Sequence, residues 1–327
     1  MKKKPIILGI ESSCDETAAS IIEENGQGIP SILSSVVSSQ VDIHKEFGGV
    51  VPELAARSHI EKIDLITKKA IKESNIKLED IDAIAATAGP GLIVCLSVGL
   101  SFGKAVASSL NKPFIAVNHL EGHALTVRLT NDVEFPYLLL LVSGGHTQIL
   151  IVEGIGSYKR IGTTVDDAVG EAFDKSAKIM GLGFPGGAAL EKAAKTGNPG
   201  RFKLPRPMFG RPNFHFSFSG LKTALREKLQ GIEGSETLDK DISDLCASFQ
   251  SAVMQVIADR CRNAADFFLS RYIDGKCLVV AGGVASNQAL RQALEAVAIE
   301  KGMSLVAPPP NLCTDNGAMI AWAGLER

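Results

Sequence analysis

The chain has 327 residues, of which 45% are hydrophobic and 21% are charged, and its formal net charge is −2. This length accommodates two lobes with complete hydrophobic cores, and the composition is that of an ordinary globular protein. The slightly negative charge excludes a uniformly basic nucleic-acid-binding protein, so a nucleic-acid partner would need a local positive patch.

Neither export nor membrane insertion is indicated. The basic start at residues 1–5 is followed by an apolar run that Glu11 and Asp15 interrupt, and no small-residue cleavage site follows. No stretch approaches the ~20 apolar residues that span a bilayer. The six cysteines are scattered without a C-x-x-C pair, which predicts reduced thiols in a cytoplasmic protein.

Two segments, residues 6–22 and 137–152, share one pattern: an apolar strand, a small polar turn and a second apolar strand. The turns are rich in Ser, Gly and Thr, which leave backbone N–H groups free and let an anion approach closely. One such hairpin in each half of the chain predicts two related lobes that face each other across a nucleotide-binding cleft.

The first half reads as a ribonuclease-H-like unit. After the hairpin, the pattern predicts a third strand at 31–39, a helix at 51–74, a strand at 81–86, a helix at 92–110, a strand at 114–117 and a helix that begins near Asn118. This β-β-β-α-β-α-β-α order is typical of that fold. The small residues of the 92–110 helix allow close packing on the sheet or against a partner of the same fold.

The second half repeats the pattern. Its hairpin is followed by a polar loop at 163–174, helices, a buried strand at 276–281, a helix at 287–299 and a strand at 304–307. Residues 197–220 carry four prolines and no clear periodicity, which indicates an inserted loop region. We predict an α/β protein with an N-terminal lobe at 1–133 and a C-terminal lobe at 134–307. The terminal segment 308–327 is expected to pack back on the first lobe.

The strongest ligand signal is His119-Leu120-Glu121-Gly122-His123. If this segment is helical, the two imidazoles lie on one face and could share a metal ion. The alternative is two solvent-exposed or capping histidines. A metallopeptidase motif has Glu directly after its first His, and Leu120 occupies that position here.

Asp315 lies just after a triple proline and is a candidate third ligand or, alternatively, a helix N-cap. Two imidazoles and one carboxylate leave open positions on a metal and suit Fe(II), Zn or Mn.

In the second half, the glycine turns at 143–145 and 282–283 follow strands, and ligands of open α/β sheets bind at the carboxyl ends of strands. Asn287 could hydrogen-bond a ribose or a base edge. The acidic segment 166–175 is either the first turn of a helix or a source of hydroxyl acceptors, with Asp174 the best candidate. Basic and Phe side chains alternate at 201–226, which is compatible with RNA binding or with a folded loop anchored by its aromatic rings.

Eight motifs closely resemble those of the TsaD family, the bacterial relatives of the archaeal and eukaryotic KEOPS catalytic subunit. In chain order they are GIESSCDET (9–17), GGVVPE (48–53), AGPGL (88–92), HLEGH (119–123), LVSGGHT (141–147), GEAFDK (170–175), FSFSGLK (216–222) and GGVASN (282–287). Their shared order and spacing make the resemblance specific over about residues 6–320.

The resemblance implies an actin/Hsp70-like (ASKHA) two-lobed fold with two ribonuclease-H-like domains around a central cleft. It implies metal ligation by His119, His123 and Asp315, with Fe(II) favoured over Zn or Mn. The archaeal branch adds a tyrosine ligand at the position of Leu141, so a three-ligand site is expected here. The residues implied in substrate binding are Leu141, Val142, Ser143, Gly144, Gly145, Asp174, Gly187 and Asn287. Asp15 and Glu16 are candidates for a catalytic role in deprotonating the amine or positioning a ligand.

The activity implied is transfer of a threonylcarbamoyl group from threonylcarbamoyl-AMP to the adenosine 3′ of the anticodon, position 37, in tRNAs that read codons beginning with adenine. AMP is released. The implied partners are tRNA and TsaB-like and TsaE-like proteins, with a same-fold heterodimer as one arrangement.

Three other functions remain open from the residues alone. An ATP-dependent sugar or acetate kinase of the same fold would need a carboxylate base but no His-x-x-x-His site. A metallopeptidase is disfavoured by Leu120. A non-catalytic subunit of the same fold would be expected to lack the ligand set.

Overall fold

The computed structural model describes residues 4–24, 30–232 and 234–327. The strands are β1 (Ile6–Glu11), β2 (Glu16–Glu24), β3 (Pro30–Ser39), β4 (Ala83–Gly89), β5 (Phe114–Asn118), β6 (Tyr137–Val142), β7 (Thr147–Gly154), β8 (Ser157–Thr163), β9 (Cys277–Ala281) and β10 (Ser304–Val306). The α-helices are α1 (Val41–His44), α2 (Pro52–Ser74), α3 (Ile93–Ser109), α4 (His119–Thr130), α5 (Val169–Ile179), α6 (Gly186–Ala194), α7 (Ser219–Gln230), α8 (Leu238–Leu269), α9 (Gln288–Glu300), α10 (Pro310–Cys313) and α11 (Gly317–Glu326).

The chain divides into two compact units. The first consists of Met1–Asp132 with Pro308–Arg327, and the second of Val133–Ala307. Among the described residues, no helix is both long enough and apolar enough to cross a membrane.

Each unit contains a five-stranded mixed sheet, and the two sheets have the same strand order. The order is β3-β2-β1-β4-β5 in the first unit and β8-β7-β6-β9-β10 in the second. The central strands β1 and β6 each pair antiparallel with the next strand in the chain, and parallel with β4 and β9 respectively. The predicted repetition of one α/β unit is therefore confirmed, and each polar turn lies at the carboxyl end of a central strand.

The central strands are apolar on both faces because both faces are covered. All residues of β1 and β6 are buried, as expected for strands between helical layers. Gly9 in β1 has no side chain because α11 packs directly on it: a Cβ there would lie 2.2 Å from the Gly317 carbonyl oxygen. This close approach fixes the start of α11, and with it the segment that carries Asp315.

Two details of the second unit differ from the sequence prediction. The polar segment 163–174 is not a loop throughout, because α5 begins at Val169 and includes Asp174. The carboxylate of Glu171 accepts a hydrogen bond from the Ala168 N–H at 3.3 Å, so the acidic residues form a helix N-terminus. Strand β8 is absent from the predicted elements because its polar sequence, partly exposed at the sheet edge, has no strong apolar alternation.

The segment 197–220 forms an irregular strap along α8. The guanidinium group of Arg201 pairs with the buried carboxylates of Asp241 and Asp244. Further along, the buried Arg260 donates a hydrogen bond to the Asn213 carbonyl oxygen at 2.8 Å. The strap therefore belongs to the second unit and does not form a separate domain.

Candidate metal centre and substrate-binding turn

The histidine pair is helical and buried. Asn118 caps α4, and its side-chain oxygen accepts from the Leu120 N–H at 2.9 Å and from the Glu121 N–H at 3.3 Å. His119 and His123 then lie one turn apart with ring centroids separated by 4.7 Å. His119 is only 7% exposed and His123 only 1%, so the structure rules out two solvent-exposed histidines.

Asp315 joins the two histidines. Its Oδ1 lies 3.1 Å from Nε2 of His123 and 3.5 Å from Nε2 of His119, and one ligand atom from each of the three residues lies within 4.8 Å of the others. Asp315 is not the cap of α11, because Asn316 holds that position and accepts from the Met319 N–H at 2.9 Å.

The chemistry of this cluster fits a divalent metal ion. Burial alone would lower the pKa of His119, but the nearby Asp315 and Glu11 carboxylates raise it to about 9. Burial, together with the carboxylates of Asp315 and Asp15, raises the pKa of Glu16 to about 9. The carboxylates around the cluster repel one another because they are close together and shielded from water. A bound cation would offset that repulsion. Two imidazoles and a carboxylate are a common donor set for such an ion.

The turn between β1 and β2 carries Asp15 and Glu16, both partly buried. Its carbonyl groups are held by side chains and backbone from elsewhere in the unit. The Nε2 of the buried His59 is 3.0 Å from the Cys14 carbonyl oxygen, and the Gln40 N–H donates to the Asp15 carbonyl oxygen at 3.0 Å. Because Nδ1 of His59 lies 2.7 Å from the Thr17 hydroxyl, the neutral ring protonated at Nε2 satisfies both contacts.

The matching turn of the second unit is built from backbone. The Ser143 N–H donates to the His146 carbonyl oxygen at 2.8 Å, and the His146 N–H donates to the Ser143 hydroxyl at 3.1 Å. Gly144 and Gly145 are exposed, and a Cβ on either would meet no atom within 4 Å. Behind the turn, Gly170 at the start of α5 comes so close that a Cβ would lie 2.6 Å from the Ser143 carbonyl oxygen. The turn is therefore open to solvent at Gly144 and Gly145, and α5 packs directly against its other side.

Leu141 and Val142 lie at the end of β6 with buried side chains, so only their backbone groups can serve a ligand. Gly282 follows the neighbouring strand β9 with φ at +93°, and a Cβ there would lie 2.3 Å from the Val142 carbonyl oxygen. Glycine is required at this position by both its conformation and the close approach. The two glycine turns predicted at strand ends thus lie side by side at the same end of the sheet.

Three further residues predicted in substrate binding lie at helix starts or beside one. The Gly187 N–H in the first turn of α6 donates to the Asp174 carboxylate at 3.0 Å, so the structure brings this pair together. Asn287 caps α9: its side-chain oxygen accepts from the Leu290 N–H at 2.9 Å, and its Nδ2 donates to Gln250 at 3.3 Å. Asn287 is thus buried, and its side chain is already engaged in hydrogen bonds within the protein.

The basic and aromatic segment is largely structural. Phe216 and Phe218 are buried, Arg201 is paired with carboxylates, and Lys222 lies 3.7 Å from Asp167. These contacts favour the folded loop over an RNA-binding surface for those residues.

Sequence reasoning missed one residue beside the His119–His123–Asp315 cluster. Glu11 is fully buried, and its Oε2 lies 3.2 Å from Nδ1 of His119. The available signal was a carboxylate at the end of an otherwise apolar strand, which needs buried partners.

Comparison with known proteins identifies the family. Residues 31–322 match the TsaD family, described as tRNA N6-adenosine threonylcarbamoyltransferase. The chain is similar to proteins of that name from Pelagibacter ubique, at 61% identity over 100% of this chain and 91% of the relative. It is also similar to one from Brucella anthropi, at 57% identity over 98% and 89%.

Solved structures support the fold. Full-length HypF in its phosphate- and nucleotide-bound form matches with a TM-score of 0.61 at 14% identity, over 100% of this chain and 47% of HypF. Component A of (R)-2-hydroxyglutaryl-CoA dehydratase from Acidaminococcus fermentans matches with a TM-score of 0.51 at 16% identity, over 98% and 99%. These likenesses concern the fold alone and confirm the predicted actin/Hsp70-like class. The sequence matches establish more: the chain belongs to the TsaD family of tRNA N6-adenosine threonylcarbamoyltransferases.

Proposed function

We propose that this chain transfers the threonylcarbamoyl group of threonylcarbamoyl-AMP to N6 of adenosine 37 in tRNAs that read codons beginning with adenine. The observation that carries the proposal is the buried His119–His123–Asp315 cluster in a chain that is 61% identical over its full length to a transferase of this name. A kinase of the same fold has no need of that cluster, and a non-catalytic subunit would be expected to lack it.

We assign His119, His123 and Asp315 as ligands of one divalent ion, with Fe(II) the first choice and Zn or Mn the alternatives. When bound, the ion would supply Lewis-acid stabilisation to phosphate or carbamate oxygens of the adenylate. The geometry supports this assignment because Nε2 of each histidine lies beside the same carboxylate oxygen, Oδ1 of Asp315.

The open backbone turn of the second unit is assigned to the adenylate. N–H groups of Gly144 and Gly145 would donate to the charge that develops on the transferring group or the leaving phosphate, while the Ser143 N–H stays bonded to the His146 carbonyl oxygen and holds the turn. Because Gly144 and Gly145 have no side chains, the adenylate can approach their backbone closely. Leu141 and Val142 would contribute backbone groups.

Asp174 and Gly187 would contact ribose or base groups of the adenylate. Asn287 would take part only if a ligand replaces one of its present hydrogen-bond partners.

The reaction forms a bond between N6 of adenosine and the carbamoyl carbon. It breaks the bond between that carbon and the phosphate oxygen, and AMP leaves with the bonding electron pair. The attacking amine loses one proton. We assign its removal to Asp15 of the β1–β2 turn. Glu16 is assigned to positioning a ligand, because its raised pKa leaves its carboxyl group protonated near neutral pH.

The substrate requires that the chain act where tRNA is present, which we propose is the cytoplasm. TsaB-like and TsaE-like proteins are proposed as partners, including a heterodimer with a protein of the same fold.

The test is nucleoside mass spectrometry. Unmodified tRNA that reads an A-starting codon is incubated with threonylcarbamoyl-AMP and the partner proteins, with or without this chain. We expect threonylcarbamoyladenosine only when the chain is present. No product, in a mixture where an established family member works, would contradict the proposal. Phosphorylation of a sugar or of acetate from ATP would favour the kinase instead.

A further inference from the structure

Glu11 is a buried carboxylate with three polar neighbours and no exposure to solvent. It accepts hydrogen bonds from the Ser13 backbone N–H and from the Thr87 hydroxyl on the adjacent strand β4. The third neighbour is Nδ1 of His119, 3.2 Å from Oε2 of Glu11. Thr87 and Ser13 therefore hold the Glu11 carboxylate beside one ring nitrogen of a proposed metal ligand.

The partners determine where the proton of His119 lies. A carboxylate can only accept a hydrogen bond from the ring, so Nδ1 must carry the proton. The Ser13 hydroxyl, 3.2 Å from the same nitrogen, can also accept from it. Nε2 lies 3.5 Å from Oδ1 of Asp315. With Nδ1–H committed to Glu11, Nε2 is the nitrogen that gives up its proton when a metal ion binds.

The second histidine has no such support. Among the described residues, Nδ1 of His123 is buried without a hydrogen-bond partner. The ring of His123 is held by packing in α4 and by its contact with Asp315. Of the two histidines, only His119 is oriented from behind by a carboxylate.

We propose that Glu11 is a positioning residue that fixes the tautomer and ring angle of His119 for metal binding and does not itself bind the metal. The proposal rests on the metal site assigned above. Carboxylates that accept from the far nitrogen of a metal-bound histidine raise its basicity and hold its orientation, and their loss weakens metal affinity about 10–100-fold. Thr87 and Ser13 also donate hydrogen bonds to Glu11, so the buried charge does not depend on His119 alone.

The experiment is a Co²⁺ titration of the full-length, metal-free protein by visible absorption, with Glu11→Gln and Glu121→Gln compared with the wild type. Glutamine has the shape of glutamate but removes the charge. We expect Glu11→Gln to raise the Kd for Co²⁺ about 10–100-fold and to shift the absorption band of the bound ion, because the angle of the His119 ring changes.

Glu121 is the matched control. It is a buried glutamate on the same helix, between the two histidines, and pairs with Arg327. We expect Glu121→Gln to keep the wild-type Kd and spectrum. Melting of each metal-free variant, followed by circular dichroism, shows whether the fold is retained.

A second variant keeps Glu11 and removes one of the hydrogen bonds that it accepts, the one from the Thr87 hydroxyl. Thr87→Val has nearly the same shape but lacks the hydroxyl donor, and we expect a smaller loss of Co²⁺ affinity in the same direction.

Wild-type affinity and spectrum in Glu11→Gln would overturn the positioning role while leaving the proposed transferase intact. Equal losses in Glu11→Gln and Glu121→Gln would also overturn it. A wild-type protein that binds no Co²⁺ would refute the metal site and the role of Glu11 together, and nucleoside mass spectrometry would then decide separately whether the transferase proposal survives.

Discussion

The two candidate sites occupy equivalent ends of two similar sheets, but one is built from side chains and the other from backbone groups. In the first unit, α4 and the segment before α11 supply side chains, namely two imidazoles and a carboxylate. In the second unit, the turn after β6 supplies backbone groups, and its glycines keep the space in front of them open. The same fold thus supports a site defined by functional groups and a site defined by missing side chains.

This difference predicts how each site responds to substitution. Replacing a ligand in the first unit removes a chemical group, so its effect falls on binding and activity. Adding a methyl group in the second unit changes available space, so its effect depends on which side of the turn the new atom occupies.

Asp315→Ala is expected to have the largest effect. It removes the carboxylate that lies beside Nε2 of both histidines, and the transition-state stabilisation that depends on a bound ion is worth several kcal/mol. We expect loss of stoichiometric metal and a fall in kcat of at least ~100-fold. Metal content by mass spectrometry and the rate of tRNA modification measure the two effects. Full metal content in this variant would show that the two histidines suffice.

Gly170→Ala is expected to disturb the second unit from behind. The new Cβ would lie 2.6 Å from the Ser143 carbonyl oxygen and 2.8 Å from the Cα of Gly144, and both are backbone atoms that cannot rotate away. Overpacking of this kind costs about 1–3 kcal/mol in the free energy of unfolding. Urea unfolding measures that loss, and an unchanged midpoint would mean that the turn yields easily.

Gly145→Ala provides the comparison on the open side of the same turn. Its Cβ would meet no protein atom within 4 Å, so the free energy of unfolding should change by less than ~0.5 kcal/mol. If the adenylate approaches this backbone, the added methyl group raises KM for threonylcarbamoyl-AMP by about 10-fold. A variant with unchanged stability and unchanged KM would remove the glycine from the substrate site.

The smallest effect concerns pH and belongs to the first unit. Burial lowers the pKa of His59, which lies beside the Cys14 carbonyl group. Since the folded state binds this proton less readily than the unfolded state, stability is lost as the pH falls below about 6.5, the ordinary histidine pKa. We expect His59→Gln to reduce the difference in urea midpoint between pH 7.5 and pH 5.5. An equal difference in both proteins would place the pH dependence elsewhere.

The sequence was informative where neighbours in the chain are also neighbours in space. Hairpin patterns predict the central strands, and the spacing of His119 and His123 predicts two rings on one helical face. The sequence could not choose between ligand and cap for Asp315, because that depends on how Asn316 begins α11. It also did not reveal Glu11, whose partner His119 lies 108 positions away, nor Gly170, whose role depends on contact with Ser143 and Gly144 of an earlier turn.

The measurement that tests the central claim most directly compares the wild type with His119→Ala in the tRNA modification assay. Each protein is stripped of metal and then assayed before and after Fe(II) is restored. We expect little threonylcarbamoyladenosine from the stripped wild type, recovery when Fe(II) is added, and no recovery in His119→Ala. Modification by metal-free His119→Ala at the wild-type rate would contradict a metal-dependent transfer.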